Sequence, residues 1–428
     1  MIGEGDDDYG SIRYELPVYF RGLLDDVPGV LVGVDPFDGT VASPFAVLRE
    51  RALVGNIAAM QDWCRRHGAE LAPHGKTTMA PDIFARQLTA GAWGLTAASP
   101  AQARVALAAG ARRVLIANQV TDVAGIRWLG ATLARDYDLG LWCYVDSVDG
   151  VALLDRGLRG QLPVGTRLNV LLEVGVDGGR TGVRDEETAI RVARAVTESS
   201  WLRLSGVAGY EGVAASRAAK GAESCAVIDF CRRMHAVAVD LVQAGLVQPE
   251  PDRPLLVTAG GSAYFDDVAA VLVDDDSLTG VPKTVVLRSG AYVTHDEGLY
   301  ARTTAVARGG DGPELTPAFE VWGRVLSRPE PTRAVVDVGR RDAPYDQDLP
   351  APRWRKPAAG GPSSDLQGVG AHLNDQHCFI DLPADEPLAV GEWVGFAISH
   401  PCTAFDKWNL VLLLDDSGHV IQELPTRF

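Results

Sequence analysis

The sequence lacks the features that mark membrane and secreted proteins. No apolar run reaches the roughly 20 residues that a helix needs to cross a bilayer, and residues 1–9 are acidic, without the basic-then-apolar order of a signal peptide. The six cysteines are scattered along the chain and show no paired framework. These absences predict a reduced, cytoplasmic chain that does not enter a membrane.

Positive charge is also scarce. The formal net charge is -16, which argues against nucleic acids and anionic membrane surfaces as partners. It still allows a small anionic ligand in a local basic pocket. Apolar residues are plentiful, at 46% of 428 residues, so the chain can bury the cores of two domains, one of them a large barrel.

Apolar strands alternate with helical stretches over the first 300 residues. The predicted strands are residues 70–74, 93–97, 114–118, 139–146, 168–174, 204–210, 255–259 and 284–289. The predicted helices include residues 44–67, 81–90, 100–109, 186–198 and 222–244. Alternation of this kind implies parallel strands, and eight units predict a closed (β/α)8 TIM barrel. An open doubly wound sheet is the alternative, although the chain has no dinucleotide-binding fingerprint.

The pattern changes after about residue 300, where strand-like runs are separated by Gly- and Asp-rich turns. We therefore predict an N-terminal segment at 1–30, with the option of joining the β domain, a barrel at 31–300 and an all-β domain at 301–428. A short strand is predicted at 31–34. Residues 340–370 are rich in Pro, Gly and Asp and predict a long loop, of the kind that often forms a lid.

A lysine follows the first predicted barrel strand. Gly75-Lys76-Thr77 suggests a phosphate-binding loop, but that loop needs a glycine at position 70, where the chain has Glu70. Active sites of such barrels lie at the carboxyl ends of the strands, where Lys76 could form a Schiff base with a carbonyl compound. The alternative is an ordinary surface lysine.

Two glycine-containing turns follow the seventh and eighth strands. The first contains Gly260, Gly261 and Ser262, and the second contains Gly290 and Tyr292. Barrels commonly bind a phosphate there through backbone N–H groups, and glycine permits close approach. Ordinary βα turns are the alternative. Together with a lysine at the first strand, the turns predict a phosphorylated cofactor that is bound covalently.

Three further side chains fit this prediction. Arg180 follows the fifth strand and could contact the cofactor's phenolic oxygen or ring nitrogen, with a surface salt bridge as the alternative. His400 and Cys402 are two residues apart on an apparently extended segment, and imidazole and thiolate can share a soft divalent ion such as zinc. Two protein ligands leave open positions for a substrate oxygen.

Together these motifs resemble the pyridoxal-phosphate enzymes of the alanine-racemase-like class, and within it the D-serine dehydratase / D-threonine aldolase family. The resemblance is carried by Pro73-His74-Gly75-Lys76-Thr77, Asp177-Gly178-Gly179-Arg180, Gly209-Tyr210-Glu211-Gly212, Ala259-Gly260-Gly261-Ser262, Ser289-Gly290-Ala291-Tyr292 and His400-Pro401-Cys402. It implies that Lys76 carries pyridoxal 5'-phosphate. It further implies cofactor contacts from Arg180, Tyr210, Gly260, Gly261, Ser262, Gly290 and Tyr292, and a Zn²⁺ or other divalent ion on His400 and Cys402.

The resemblance also implies an activity on a small amino acid. The family's aldolases tend to have an aspartate where Cys402 stands, so the His–Cys pair favours a dehydratase (deaminase). Such an enzyme converts a D-3-hydroxy amino acid to a 2-oxo acid and ammonia. The alternatives are a retro-aldol enzyme that forms glycine and an aldehyde, and a non-catalytic protein of pyridoxal-phosphate homeostasis. Relatives are generally dimers, so a homodimer is expected.

Overall fold

The computed structural model describes residues 31–274, 276–358 and 360–428, so the predicted N-terminal segment at 1–30 lies outside the described residues. Residues 31–34 form a turn, and the predicted strand there is wrong.

Strand β1 (Phe45–Arg49) leads directly into helix α1 (Glu50–Arg66). The predicted helix at 44–67 is therefore wrong over its first six residues. The apolar run in β1 is buried on both faces, and such a run does not distinguish a strand from a helix by its periodicity.

Within the described part of the chain, eight parallel strands form a barrel. They are β2 (Glu70–Leu71), β3 (Leu95–Ala97), β4 (Arg113–Gln119), β5 (Gly140–Val145), β6 (Leu168–Val174), β7 (Leu202–Gly209), β8 (Leu255–Ala259) and β9 (Lys283–Leu287). The helices that follow are α2 (Pro81–Thr89), α3 (Pro100–Ala108), α4 (Val123–Arg135), α5 (Val148–Leu158), α6 (Glu186–Glu198), α7 (Gly212–Arg217), α8 (Glu223–Gln243), α9 (Phe265–Leu272) and α10 (Leu299–Thr303).

The barrel closes between its first two strands. The sheet runs in the order β2-β9-β8-β7-β6-β5-β4-β3, and a parallel bridge between His74 and Thr96 joins its two ends. Thr96 N–H donates to the carbonyl of Pro73 (2.9 Å). The predicted (β/α)8 barrel of the alanine-racemase type is confirmed.

Side chains fill the inside of the barrel. A buried cluster takes one residue from most of the strands, as expected for a packed barrel interior: Ala72, Leu115, Tyr144, Leu171, Ala208, Leu256 and Val286. Some of the helices that follow the strands begin with a side-chain cap, such as Asp122 before α4 and Asp185 before α6. These caps satisfy backbone N–H groups at the start of each helix.

The second domain is mostly β. Its strands are β10 (Phe319–Glu330), β11 (Arg333–Val336), β12 (Ala351–Lys356), β13 (Ser364–Asp365), β14 (Val369–Leu373), β15 (Cys378–Asp381), β16 (Trp393–Ala397), β17 (Leu410–Leu414) and β18 (Val420–Pro425), with the short helix α11 (Cys402–Phe405). Residues 340–370, predicted as a long loop, contain strands β12 and β13 and the start of β14, so that prediction is wrong in part.

Strand β1 belongs to this second domain. It pairs antiparallel with β10 and parallel with β17. The chain therefore contributes a central strand to the β domain before it enters the barrel, whereas the sequence placed residues 31–300 in the barrel. Among the described residues, no helix is long and apolar enough to span a membrane.

Candidate active site

A cavity of about 500 Å³ lies at the carboxyl ends of the barrel strands and reaches the turn before α11. Nine of the predicted site residues line it: Lys76, Arg180, Tyr210, Gly260, Gly261, Ser262, Gly290, His400 and Cys402. The barrel and the β domain thus both contribute to its wall.

Lys76 projects into this cavity from a 3₁₀ turn (Gly75–Thr77) after β2. Its amine has no hydrogen-bond or ion-pair partner in the part of the chain that the structure describes. The side chain is exposed to the solvent in the cavity, but the protein around it removes part of its hydration. This desolvation lowers its pKa, with the charges of Arg180 and Arg288 acting in the same direction and Cys402 opposing them. A larger fraction of Lys76 is therefore the neutral, nucleophilic amine than for a lysine in water.

The turn after β8 is held by a residue that the sequence did not identify as functional. The N–H groups of Gly260 (2.9 Å) and Gly261 both donate to the carboxylate of Glu211, which is buried. Gly260 has a φ of +96°, a conformation that favours glycine. The amides expected to bind phosphate therefore already donate to Glu211, so a phosphate here would have to be bound by neighbouring groups.

The turn after β9 packs against the lysine turn. A Cβ on Gly290 would lie 2.6 Å from the His74 carbonyl oxygen and 2.6 Å from Thr77 Oγ1, so the close approach requires glycine. The N–H groups of Gly290 (3.2 Å) and Ala291 (3.0 Å) donate to Ser262 Oγ. Ser262 Oγ thus accepts hydrogen bonds from two backbone amides at the cavity wall, and its hydroxyl can rotate to donate to an anionic group such as a phosphate.

Arg180 lies across the cavity with its guanidinium 5.1 Å from the Tyr210 ring centroid. Within the described residues it has no hydrogen-bond acceptor or ion-pair partner for the guanidinium. The hydroxyl of Tyr144, which lines the same cavity, is buried and has no hydrogen-bond partner among the residues that the structure describes. Unpaired polar groups in a cavity fit a bound polar cofactor, because buried donors are normally hydrogen-bonded.

Arg288 is a second cation that the sequence analysis missed. It follows β9, is buried and donates to Thr258 Oγ1 (2.6 Å) and to the Gly209 carbonyl oxygen (2.6 Å). It lines the cavity, and its charge lowers the pKa of Lys76. The available signal was a single arginine at the end of an otherwise apolar strand.

Tyr292 does not line the cavity. Its side chain is buried, and its hydroxyl accepts a hydrogen bond from Gln87 Nε2 (3.0 Å) on α2. The structure therefore places Tyr292 in the packing between barrel and helix and not in the cavity wall; its contact with a cofactor stays a prediction.

His400 and Cys402 occupy one short turn at the cavity. Cys402 Sγ lies 3.3 Å from Thr77 Oγ1, in the turn that contains Lys76. A hydrogen bond to Cys402 raises the pKa of His400 to about 9, with Asp346 acting in the same direction. The imidazole and thiol are thus adjacent, which fits a soft divalent ion held by two protein ligands. Among residues 31–274, 276–358 and 360–428, no cluster of three or more His, Cys, Asp or Glu side chains is placed to hold a metal.

Comparisons with known proteins agree with this two-domain site. The model of the alanine racemase N-terminal domain matches residues 48–251, and the model of a serine dehydratase domain matches residues 318–414. A D-threonine aldolase from Arthrobacter sp. is 28% identical over 395 residues, which are 90% of this chain and 93% of that protein. A D-threo-3-hydroxyaspartate dehydratase from Delftia sp. is also 28% identical, over 77% of this chain and 79% of that protein.

The chain belongs to the D-threonine aldolase and D-hydroxyaspartate dehydratase family. Solved structures of this family share the fold. The D-threonine aldolase from Filomicrobium marinum superposes with a TM-score of 0.74 at 24% identity, covering 94% of this chain and 98% of that one. The dehydratase from Delftia sp. HT23 superposes with a TM-score of 0.68 at 24% identity, covering 91% and 98%. The curated relatives are divided between aldolases and dehydratases.

Proposed function

We propose that this protein is a pyridoxal-phosphate-dependent, metal-assisted dehydratase that converts a D-3-hydroxy amino acid to a 2-oxo acid and ammonia. The observation that carries the proposal is the position of the His400–Cys402 pair beside the lysine turn, with Cys402 Sγ 3.3 Å from Thr77 Oγ1. One cavity therefore combines a basic amine with a pair of soft metal ligands.

The cofactor would be held at several points of the cavity wall. Lys76 would bind its aldehyde carbon through Nζ, and the hydroxyl of Ser262, beside the Gly290 turn, would bind its phosphate. Arg180 and Arg288 would face its ring oxygen and nitrogen. When bound, pyridoxal phosphate supplies an electron sink for the α-carbon, and a divalent ion supplies Lewis acidity towards a hydroxyl.

Lys76 is the group that moves the α-proton in this proposal. Once the substrate's amine had replaced it on the cofactor, the freed Nζ could accept a proton from the α-carbon, and its lowered pKa increases the fraction of neutral amine that can do so. Arg180 and Arg288, which depress that pKa, also supply positive charge for an amino acid's carboxylate.

His400 and Cys402 would act on the other end of the substrate. Loss of a β-hydroxyl requires stabilisation of the departing oxygen, and a soft ion on these ligands would lie at the cavity for this purpose. Two mutant structures of a D-threo-3-hydroxyaspartate dehydratase support the comparison. One is a cysteine-to-alanine mutant described as metal-free, and another replaces a histidine two positions earlier. This spacing matches His400 and Cys402.

The retro-aldol reaction is the second candidate. Its support is the Arthrobacter aldolase, which is as similar as the dehydratase and covers more of the chain. A third alternative, a non-catalytic cofactor carrier, does not explain why the β domain places two metal-type ligands in the cavity. A homodimer stays a prediction, which light scattering on the purified protein would test.

The test is a panel of D- and L-3-hydroxy amino acids, with ammonia and glycine both quantified, in metal-free protein and after zinc is added back. We expect ammonia from one or more D-isomers, and only with metal. Glycine in place of ammonia would identify the aldolase. If no substrate gives either product while the cofactor stays bound, the carrier alternative replaces both.

A further inference from the structure

Asp346 lies in a distant part of the chain and contacts residues 400–403, the turn that carries the two proposed metal ligands (the metal turn). It lies between β11 and β12, and its Oδ2 accepts a hydrogen bond from His400 Nδ1 at 2.5 Å. Its Oδ1 accepts a hydrogen bond from Thr403 Oγ1 at 2.6 Å. Since a carboxylate only accepts, the imidazole must carry a proton on Nδ1. Both carboxylate oxygens therefore hold this one turn.

This contact decides which ring nitrogen can bind a metal. With Nδ1 protonated and directed at Asp346, Nε2 is the nitrogen that remains as a ligand, and His400 is also in contact with Cys402. A carboxylate on the distal nitrogen of a metal-binding histidine typically fixes the ring's tautomer and orientation and increases its basicity. Asp346 is therefore placed to support the ion without being its ligand.

The backbone of His400 is constrained as well. Its φ is +71°, in the left-handed region that non-glycine residues rarely adopt. The buried Asp296 accepts its N–H at 2.9 Å through Oδ2. Asp296 thus fixes the backbone while Asp346 fixes the ring, so two carboxylates from separate parts of the chain orient one imidazole.

We propose that Asp346 is a positioning residue that holds the imidazole of His400 so that Nε2 and Cys402 Sγ together bind the divalent ion. The proposal rests on the proposed function only in taking His400 and Cys402 as metal ligands. It does not depend on whether the reaction is a dehydration or a retro-aldol cleavage.

Asp348 provides a matched control on the same loop. It lies two residues from Asp346 and accepts hydrogen bonds from Ser399 Oγ (2.7 Å) and Arg302 (2.7 Å). It therefore tethers the loop next to the metal turn without touching the imidazole. Loosening of the loop alone would appear in an Asp348 variant as much as in an Asp346 variant.

The experiment measures metal affinity without substrate. Full-length protein with cofactor bound is stripped of metal, and Zn²⁺ and Co²⁺ dissociation constants are determined by chelator competition for wild type, Asp346→Ala, Asp346→Asn and Asp348→Ala. Co²⁺ absorption is recorded in each case, because it reports the ligand geometry directly.

We expect Asp346→Ala to bind metal about 10–100-fold more weakly and to change the Co²⁺ spectrum. Asp346→Asn should lie between it and wild type, because an amide oxygen still accepts from Nδ1. Asp348→Ala should stay within about threefold of wild type, and cofactor absorption should be unchanged throughout. Wild-type affinity in Asp346→Ala, or an equal loss in Asp348→Ala, would overturn the proposal. The substrate panel tests the reaction separately, so a failure of the Asp346 proposal can be distinguished from a failure of the proposed dehydratase function.

Discussion

Replacement of Glu211 by glutamine is expected to loosen the turn after β8. The carboxylate accepts one hydrogen bond on each oxygen, from Gly260 N–H and from Gly261 N–H. A glutamine amide has only one oxygen, so one of these N–H groups would face an NH₂ that cannot accept. The other bond would lose its charged acceptor.

The size of the effect follows from these contacts. A hydrogen bond to a charged group contributes roughly 1.5–3 kcal/mol, and each ~1.4 kcal/mol is tenfold in an equilibrium. The free energy of local opening should therefore fall enough to reduce protection of these amides about 10–150-fold. A peptide that covers residues 255–262 is followed by hydrogen–deuterium exchange and mass spectrometry.

Glu250→Gln is the control for this measurement, because Glu250 is half exposed and pairs with Arg253 at the surface. It should leave exchange at residues 260 and 261 unchanged. If Glu211→Gln folds normally and shows wild-type protection of the turn, Glu211 does not hold it. The inferred shift of the phosphate site towards Ser262 would then lose its basis.

Three further outcomes are expected. Lys76→Ala should purify without the visible absorption of bound cofactor; retained absorption would refute the assignment. Tyr292→Phe should cost about 0.5–1.5 kcal/mol of stability in denaturant titrations, from the lost bond to Gln87, and leave cofactor affinity unchanged in equilibrium titrations; weakened binding would restore its predicted contact. Removal of metal from His400 and Cys402 by a chelator should abolish ammonia production in a coupled assay, and zinc should restore it; indifference to the chelator would exclude a metal role.

Much of the fold could be predicted because local patterns were strong. The strands at 168–174 and 255–259 match the structure at both ends, since each is an apolar run bounded by turn residues. Strand β1 was missed for a long-range reason. It is stabilised by β10 and β17, hundreds of residues away, and its apolar spacing suits a helix equally well.

The site residues also separate into those that local sequence identifies and those that depend on long-range contacts. Lys76 and the His400–Cys402 pair lie in short motifs, so sequence alone located them. Glu211 and Asp346 act on partners 49 and 54 residues away. Glu211 lies in the Gly209–Gly212 motif, but the motif does not show what its carboxylate binds, and nothing local distinguishes Asp346 from other acidic residues.

Tyr292 shows the opposite case, in which a residue beside a local motif points away from the cavity. It is two residues from a cavity glycine, yet its side chain packs against Gln87. Local sequence placed it near the site but could not show the direction of its side chain.

The central claim is that the cavity eliminates a β-hydroxyl and leaves the carbon chain intact. The most direct measurement is a carbon NMR time course with uniformly ¹³C-labelled D-threonine and zinc-loaded protein. The account predicts a single four-carbon product, 2-oxobutanoate, with equimolar ammonia. Appearance of labelled glycine and acetaldehyde would contradict it, because the bond between the α- and β-carbons would then have been broken.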